Sequence, residues 1–237
     1  MKDNCCKKFW GGRAAHSIVC GTVVAFATLA VSGMASGQSQ DKKDDITLSA
    51  VQSPAAPTLI TPPVGNSAYL VAHGVGTQGY VCLPTSIGVS WTVNNARPEA
   101  TLFSNVFGAA VQIITHFLSP VVNPNGIGPN PPRFGDVTWQ SSFDSSRVWA
   151  QKENFIHAGT DPNSCPNTGS IDCLLLQVIG SDEGPTGGKL LTKTTFIQRL
   201  NTRGGSAPTD SCLTPAEIGK QILVPYSADY IFFRADQ

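Results

Sequence analysis

The segment TFIQRLNTRGGSAPTDSC, residues 195–212, concentrates residue types that can do chemistry. Its arginines and asparagine can bind a carboxylate or a carbonyl group, and its serines and cysteine can act as nucleophiles. Strand alternation in its first half predicts that Arg199 and Asn201 lie on one face. The paired Gly204 and Gly205 predict a turn, because glycine tolerates positive φ. The segment is therefore interpreted mainly as a strand running into a turn, with Arg199 and Asn201 as candidate ligand-binding residues.

Three histidines lie beyond the first forty residues, namely His73, His116 and His157. They are 43 and 41 residues apart, so none of the local spacings typical of metal ligands is present. Each is interpreted as a structural histidine at a strand edge. The sequence therefore predicts no metal site and no cofactor.

Motifs for nucleophilic or nucleotide chemistry are incomplete. No Gly-x-Ser-x-Gly elbow occurs. The stretch Gly184–Lys189 departs from a phosphate-binding loop at Glu183 and at Leu190. Gly74 and Gly76 open a strand rather than the helix that a dinucleotide fingerprint requires. We therefore expect neither a nucleotide site nor a ready-made catalytic triad.

Aromatic and acidic residues allow a glycan-binding alternative. Trp91, Trp139 and Trp149 could stack against a sugar, although aromatic residues in a strand-rich domain more often belong to the core. Asp136 and Asp144 could form the carboxylate pair of a glycosidase. Both flank a predicted hairpin, however, where capping of the turn explains them without catalysis.

The N-terminal residues have the order of a secretory signal peptide. A basic opening precedes the apolar run Ile18–Val31, and small residues follow up to Gly37. Cleavage there would leave 12 basic against 15 acidic residues, a net charge of −3. No basic stripe remains, so nucleic acid is not an expected partner. We expect a signal peptide over 1–37, a flexible leader over 38–63, a secreted or periplasmic chain, and no membrane span after signal removal.

Four cysteines remain after residue 37, namely Cys82, Cys165, Cys173 and Cys212. An even number in an exported chain predicts two disulfides, whereas the spacings do not fit a zinc site. The loop from Cys165 to Cys173 contains proline, asparagine and glycine, which suit a sharp reversal. We therefore predict that these two pair, which leaves Cys82 to pair with Cys212.

The elements that must position these residues are mostly strands. Short β-like runs alternate with glycine, proline, asparagine and serine from residue 64 to 237. Thr214–Glu217 carries a capping box with proline at the first helical position. The prediction is a mainly β, single sandwich- or barrel-like antiparallel domain with one short helix. The candidate strands are Ala68–Ala72, Gly79–Leu83, Val89–Val93, Ala100–Phe103, Ala109–Phe117, Asp136–Ser141, Arg147–Gln151, Cys173–Ile179, Lys189–Leu200 and Ala228–Arg234.

Several blocks in order resemble the exported domain-of-unknown-function family 3455. The resemblance covers roughly Pro62 to Arg234 and implies a β-rich exported domain. Members usually carry an aspartate–glycine–serine turn, where this chain has Asp144-Ser145-Ser146. Some fungal members bear a malate dehydrogenase label, but this sequence lacks a nucleotide fingerprint and a doubly wound pattern. The blocks are PPVGNSAYLVAHGVGTQGYVC, RPEATLF, VQIITHFLSP, VTWQSSFDSSRVWA, CLLLQV, FIQRLNTRGGSAPTDSC and VPYSADYIFF.

Two hypotheses about function follow. The first is a non-catalytic binding or envelope-associated β domain whose partner is a small molecule, a glycan or an envelope component. The second is a secreted hydrolase or lyase with a site around His116, Trp139 and Arg199. The first is favoured, because no nucleophile, base and orienting group are visible together. The candidate ligand-binding residues are His116, Trp139, Arg199 and Asn201.

Overall fold

The structure, a computed structural model, describes residues 51–119 and 136–236, without the side chains of residues 94–98 and 136. The described residues contain eight strands, and every pairing is antiparallel. Strands adjacent in sequence pair with each other, and the first pairs with the last, so the sheet closes into a barrel. The strands are β1 (Asn66–Thr85), β2 (Gly88–Val106), β3 (Ala109–Ser119), β4 (Asp136–Ser141), β5 (Arg147–Ile156), β6 (Cys173–Asp182), β7 (Thr194–Gly204) and β8 (Gln221–Ala235).

The barrel interior is an apolar core to which all eight strands contribute. Only the inside of a closed sheet can collect side chains from every strand. A second apolar cluster lies on the outer face, where Ile231 and Phe233 alternate with the inward Phe232. The interior includes Ala72, Leu102, Ile114, Trp139, Val148, Leu176, Ile197, Tyr226, Tyr230 and Phe232. The outer cluster includes Ile60, Cys165, Cys173, Leu175, Leu200, Ile231 and Phe233.

The mainly β antiparallel fold is confirmed, and of the two predicted architectures the chain adopts the barrel. The predicted short helix is a 3₁₀ helix over Pro215–Glu217. Its capping box is present, because Thr214 and Glu217 each bond the backbone of the other. A closed antiparallel barrel differs from the parallel, doubly wound sheet of a dinucleotide-dependent dehydrogenase.

Two predicted strand pairs are each a single long strand. Ala68–Ala72 and Gly79–Leu83 both belong to β1, and the two candidates at Val89 and Ala100 both belong to β2. Gly74 does not interrupt β1. A Cβ atom on it would lie 2.7 Å from Cε2 of Tyr230, so this glycine makes room for a ring inside the barrel.

The β4–β5 hairpin turns at Asp144-Ser145-Ser146, as predicted. The expected strand at Lys189 begins later, because β7 starts at Thr194. Residues 189–193 form turns instead, and the β4–β5 hairpin holds them. Leu190 N donates to Asp144 Oδ2 at 2.8 Å, and Leu191 N donates to the Ser146 hydroxyl at 3.1 Å.

Both predicted disulfides are confirmed. Cys82 pairs with Cys212 at a Cα–Cα distance of 5.6 Å, and Cys165 pairs with Cys173 at 6.0 Å. Strands of a closed antiparallel sheet alternate in direction, so the β1–β2, β5–β6 and β7–β8 connections lie at one end of the barrel. Both disulfides brace these connections. We call this the disulfide end.

The described residues begin at residue 51. The predicted signal peptide over 1–37 and the part of the predicted leader over 38–50 therefore lie outside them. Residues 51–63 of the leader, expected to be flexible, pack against the barrel. Ile60 is fully buried, and Gln198 Nε2 donates to its carbonyl at 2.6 Å. The Ser53 hydroxyl donates to Gln198 Oε1 at 3.1 Å. Among the described residues, no helix has the length and apolar character to cross a membrane.

Candidate functional site

Strands β3 and β4 place His116 and Trp139 side by side inside the barrel. The two residues are direct register partners. Their rings stack, with centroids 4.1 Å apart and planes 14° apart. His116 is 4% exposed and Trp139 is 1% exposed. Two of the four candidate residues therefore form one buried aromatic plate.

The His116 ring is held neutral. Burial lowers its pKa to about 4, and the positive charge of Arg199 also lowers it, against the opposing hydrogen bond to Thr138. That bond runs from Nδ1 to the Thr138 carbonyl at 2.9 Å. A carbonyl can only accept, so Nδ1 carries the proton. Nε2 is therefore left as a hydrogen-bond acceptor.

Strand β8 adds two tyrosines to the inner face. Tyr226 and Tyr230 alternate with Ala228, and their hydroxyls lie 2.8 Å apart. The Tyr230 ring centroid is 5.9 Å from that of His116 and 6.4 Å from that of Trp139. Burial raises the pKa of Tyr226, and the neighbouring Tyr230 raises it further, so the Tyr226 hydroxyl keeps its proton at neutral pH. In such a pair one proton is shared, and the other stays available to a third group.

Arg199 of β7 faces the same interior. Tyr230 is its register partner, and its charge lowers the pKa of both His116 and Tyr226. Its Nη2 donates to the Asp172 carbonyl at 2.9 Å. Its Nε is buried and has no hydrogen-bond partner among the described residues, and the same holds for Trp139 Nε1. Arg199 itself is partly exposed, which places it at the rim of this group.

Asn201 lies elsewhere, so the expectation that it shares a face with Arg199 is wrong. Asn201 has φ +52°, and the pairing of β7 with β8 shifts register between Leu200 and Arg203. Such a bulge turns the next side chain to the other face. Asn201 Nδ2 donates to Asp229 Oδ2 at 2.8 Å on the outer surface. Three of the four candidate residues are therefore brought together.

The three histidines are not neighbours. His73 and His157 lie on the outside, where each meets a carboxylate through Nδ1. The partner of His73 is Asp229 at 3.0 Å, and that of His157 is Asp172 at 3.2 Å. Among the described residues, no group of three or more histidine, cysteine or acidic side chains could hold a metal ion.

Asp144 and Trp149 have structural explanations, and the side chain of Asp136 lies outside the described residues. Asp144 accepts hydrogen bonds from the Ser146 hydroxyl and from Leu190 N. Burial opposes its ionisation, but the hydrogen bonds together outweigh burial and lower its pKa to about 2. Trp149 pairs with Thr138 on the outer face, whereas Trp139 pairs with Val148 on the inner face. The tryptophans therefore do not form a common stacking surface.

Sequence reasoning missed the tyrosines of this site. Tyr226 and Tyr230 are four residues apart in a strand, which places them on one face, but nothing in the sequence says that this face is the interior. Tyr80 was also missed. Its hydroxyl donates to the Gly205 carbonyl at 2.6 Å, and burial raises its pKa, against the opposing charge of Arg199.

The comparisons with known proteins identify a family but no characterised relative. No curated protein and no solved structure matches this chain. The model of the family described as "Protein of unknown function (DUF3455)" matches residues 63–234, which include β1 to β7 and nearly all of β8. This match confirms the resemblance seen in the sequence blocks, and the chain belongs to this family.

Proposed function

We propose that this chain is an exported, non-catalytic binding domain that takes a small molecule at the inner-face site, defined by His116, Trp139, Tyr226, Tyr230 and Arg199. The observation that carries the proposal is a pair of buried donors, Arg199 Nε and Trp139 Nε1, that have no acceptor among the described residues and belong to two neighbours of Tyr230. Buried polar groups in folded proteins are nearly always hydrogen-bonded. A ligand that accepts from both would satisfy them.

The chemistry of the group favours binding over hydrolysis or elimination. A histidine base is usually oriented by a carboxylate, but His116 Nδ1 is occupied by a backbone carbonyl. The hydroxyls of Tyr226 and Tyr230 lie on the same inner face, and burial raises the pKa of Tyr226, which opposes its ionisation. Within the described part of the chain, the site therefore presents donors and aromatic walls but no activated nucleophile. A hydrolase or lyase site around His116, Trp139 and Arg199 is not favoured.

Export is supported by two independent features. Disulfides persist in the periplasm and outside the cell, and both cysteine pairs are within bonding distance. Residues 1–37 have the order of a secretory signal. Intact-mass measurement of secreted protein should give an N-terminus within a few residues of Gln38. A retained Met1 would contradict this part of the proposal.

The binding proposal is tested with the secreted protein and a screen by thermal shift. Small organic molecules and soluble glycans are screened, and ester hydrolysis is measured in parallel. A compound that raises the thermal midpoint of the parent protein should no longer do so in Trp139→Phe and should still do so in Trp149→Phe. Trp149→Phe is the control, because it also removes an indole N–H, but from a buried tryptophan on the outer face. Turnover abolished by His116→Gln would overturn the non-catalytic assignment.

A further inference from the structure

We propose that the inner-face site binds a planar aromatic monocarboxylate, such as a benzoate- or indole-type acid. This inference rests on the proposed binding function and names its ligand class. Three features carry it: the charge of Arg199, which has no carboxylate partner among the described residues, the two unpaired donors of the site, and its aromatic rings.

The charge of Arg199 has no carboxylate partner in the part of the chain that the structure describes, because none of the ion pairs there includes it. The side chain of Asp172 faces His157 instead, and only its backbone carbonyl meets Arg199. Arg147 differs from Arg199 in having a carboxylate partner. It lies over the Trp149 ring and also has a buried Nε without a partner among the described residues, but its charge is paired with Asp182 at 3.3 Å. Of these two arginines, only Arg199 therefore has no carboxylate partner among the described residues, and an anionic ligand would supply one.

Two buried groups at the site can only donate and have no partner among the described residues, namely Arg199 Nε and Trp139 Nε1. The hydroxyls of Tyr226 and Tyr230 can donate or accept, and His116 Nε2 accepts. A carboxylate has two oxygens that accept several hydrogen bonds and donate none, so it fits this inventory. A single arginine supplies one positive charge, which matches one carboxylate. A neutral polyol would bring as many donors as acceptors and would fit less well.

The rings of the site favour a flat apolar body attached to that carboxylate. His116 and Trp139 form one stacked plate, and the Tyr230 ring is tilted by 59° to Trp139. Aromatic faces and edges bind other rings in stacked or tilted arrangements. Arg199 is partly exposed, whereas Tyr230 is completely buried. The carboxylate would therefore be held near the rim and the ring further inside.

The rim lies at the disulfide end of the barrel. Arg199 bonds the carbonyl of Asp172, which directly precedes Cys173, and Tyr80 bonds the carbonyl of Gly205 in the β7–β8 connection. Each connection is braced by one disulfide. Both disulfides therefore hold the backbone around Arg199 in place before a ligand arrives, which lowers the entropic cost of binding.

The test is titration calorimetry of the secreted protein with benzoate, phenylacetate and indole-3-acetate. Each acid is compared with its neutral amide, and maltose serves as a neutral glycan. We expect at least one acid to bind and its amide to bind about tenfold or more weakly, since hydrogen bonds to charged groups are the stronger ones. Arg199→Gln should weaken the acid about ten- to hundredfold. Arg203→Gln, an exposed arginine on the same strand, should leave the affinity unchanged.

A second readout locates the ligand and guards against misfolding. In a ¹H–¹⁵N spectrum the indole N–H signal of Trp139, assigned with Trp139→Phe, should shift when the acid is added, and that of Trp149 should not. Arg199→Lys keeps the charge but loses Nε, so it should bind more weakly than the parent protein and retain its thermal midpoint.

The outcomes separate the two proposals. If an amide or maltose shifts the Trp139 signal as strongly as the acids do, the inner-face site binds a ligand but the carboxylate inference is wrong. If no acid, amide or glycan moves that signal, both proposals fail. An acid that binds without involving Trp139 or Arg199 would likewise overturn the inferred site.

Discussion

At the scale of the residue, His116 connects the stability of the protein to pH. Its pKa is about 4 in the folded chain and 6.5 when exposed. Between these values the unfolded chain binds a proton that the folded chain does not, so unfolding is favoured as pH falls. Stability should therefore be complete above pH 6.5 and decline by roughly 3 kcal/mol towards pH 4. Urea denaturation at several pH values in this window would measure the slope.

A matched pair of variants assigns this slope. His116→Gln should flatten the dependence between pH 6.5 and 4, whereas His157→Asn, at an exposed histidine, should keep it. Asp144 does not interfere. Its pKa is lowered from 3.8 to about 2, so the stability that it contributes is present above pH 3.8 and is lost as pH falls through 2. An unchanged slope in His116→Gln would contradict the assignment.

Ser145 is a second residue with a measurable effect. It has φ +59° in the β4–β5 turn, at the position where the family resemblance leads one to expect glycine. Left-handed backbone costs a non-glycine residue about 1–2 kcal/mol. Glycine avoids this cost, but it loses more conformational entropy on folding, which offsets part of the gain. Ser145→Gly should therefore stabilise the protein by about 0.5–1 kcal/mol in chemical denaturation. Ser142→Gly, at a position without positive φ, should give no gain.

Local chemistry of this kind could be predicted from the sequence. The turn at Asp144–Ser146 and the capping box between Thr214 and Glu217 depend on residues within a few positions of each other. The surroundings of His116 could not. Arg199 and Tyr230, which lie beside it, belong to strands far away along the chain.

At the scale of the element, the β7 strand shows where simple alternation fails. Arg199 follows the expected pattern and points inward with Ile197, but the bulge before Arg203 carries Asn201 to the outer face. A bulge needs only one residue to leave extended geometry, and no glycine marks position 201. The face predicted for Asn201 was therefore wrong.

Gly205, which directly follows the last residue of β7, has no room for a side chain. It has φ +82°, and a Cβ atom would lie 2.9 Å from both Ile171 Cγ2 and Tyr226 Cβ. Gly205→Ala should destabilise the protein by at least about 2 kcal/mol, from backbone strain and overpacking together. Gly187→Ala is the control, since Gly187 has φ +80° but open space around it, so only the backbone cost remains. Equal losses in the two variants would show that the contact with Tyr226 is unimportant.

At the scale of the whole molecule, the two disulfides should differ in what they contribute. Cys82 and Cys212 are 130 residues apart, and Cys165 and Cys173 are 8 apart. In the chain-entropy model the longer loop gives the larger restriction of the unfolded state, by about 2 kcal/mol. Replacing Cys82 and Cys212 by alanine should therefore lower the thermal midpoint more than replacing the other pair. The opposite order would show that local packing of the Cys165 loop dominates.

Closure of the sheet is the part of the architecture that the sequence left open. Short alternating runs fit a sandwich and a barrel equally well, and the glycines of β1 suggested a break between two strands. Gly74 instead gives the Tyr230 ring its space inside the barrel. That contact joins the first strand to the last, and no local pattern can express it.

The pairing of β1 with β8 also sets the order in which the barrel can form as the chain is synthesised. Asn66 lies opposite Ala235 and Val81 lies opposite Gln221, so the ring closes only when the C-terminal strand has arrived. Until then β1 and β7 are open edges that can pair with other chains. Contacts between distant parts of a chain also form slowly. The export proposed above fits this order, because one edge of β1 stays unpaired until the last residues have crossed the membrane and the barrel cannot close before then.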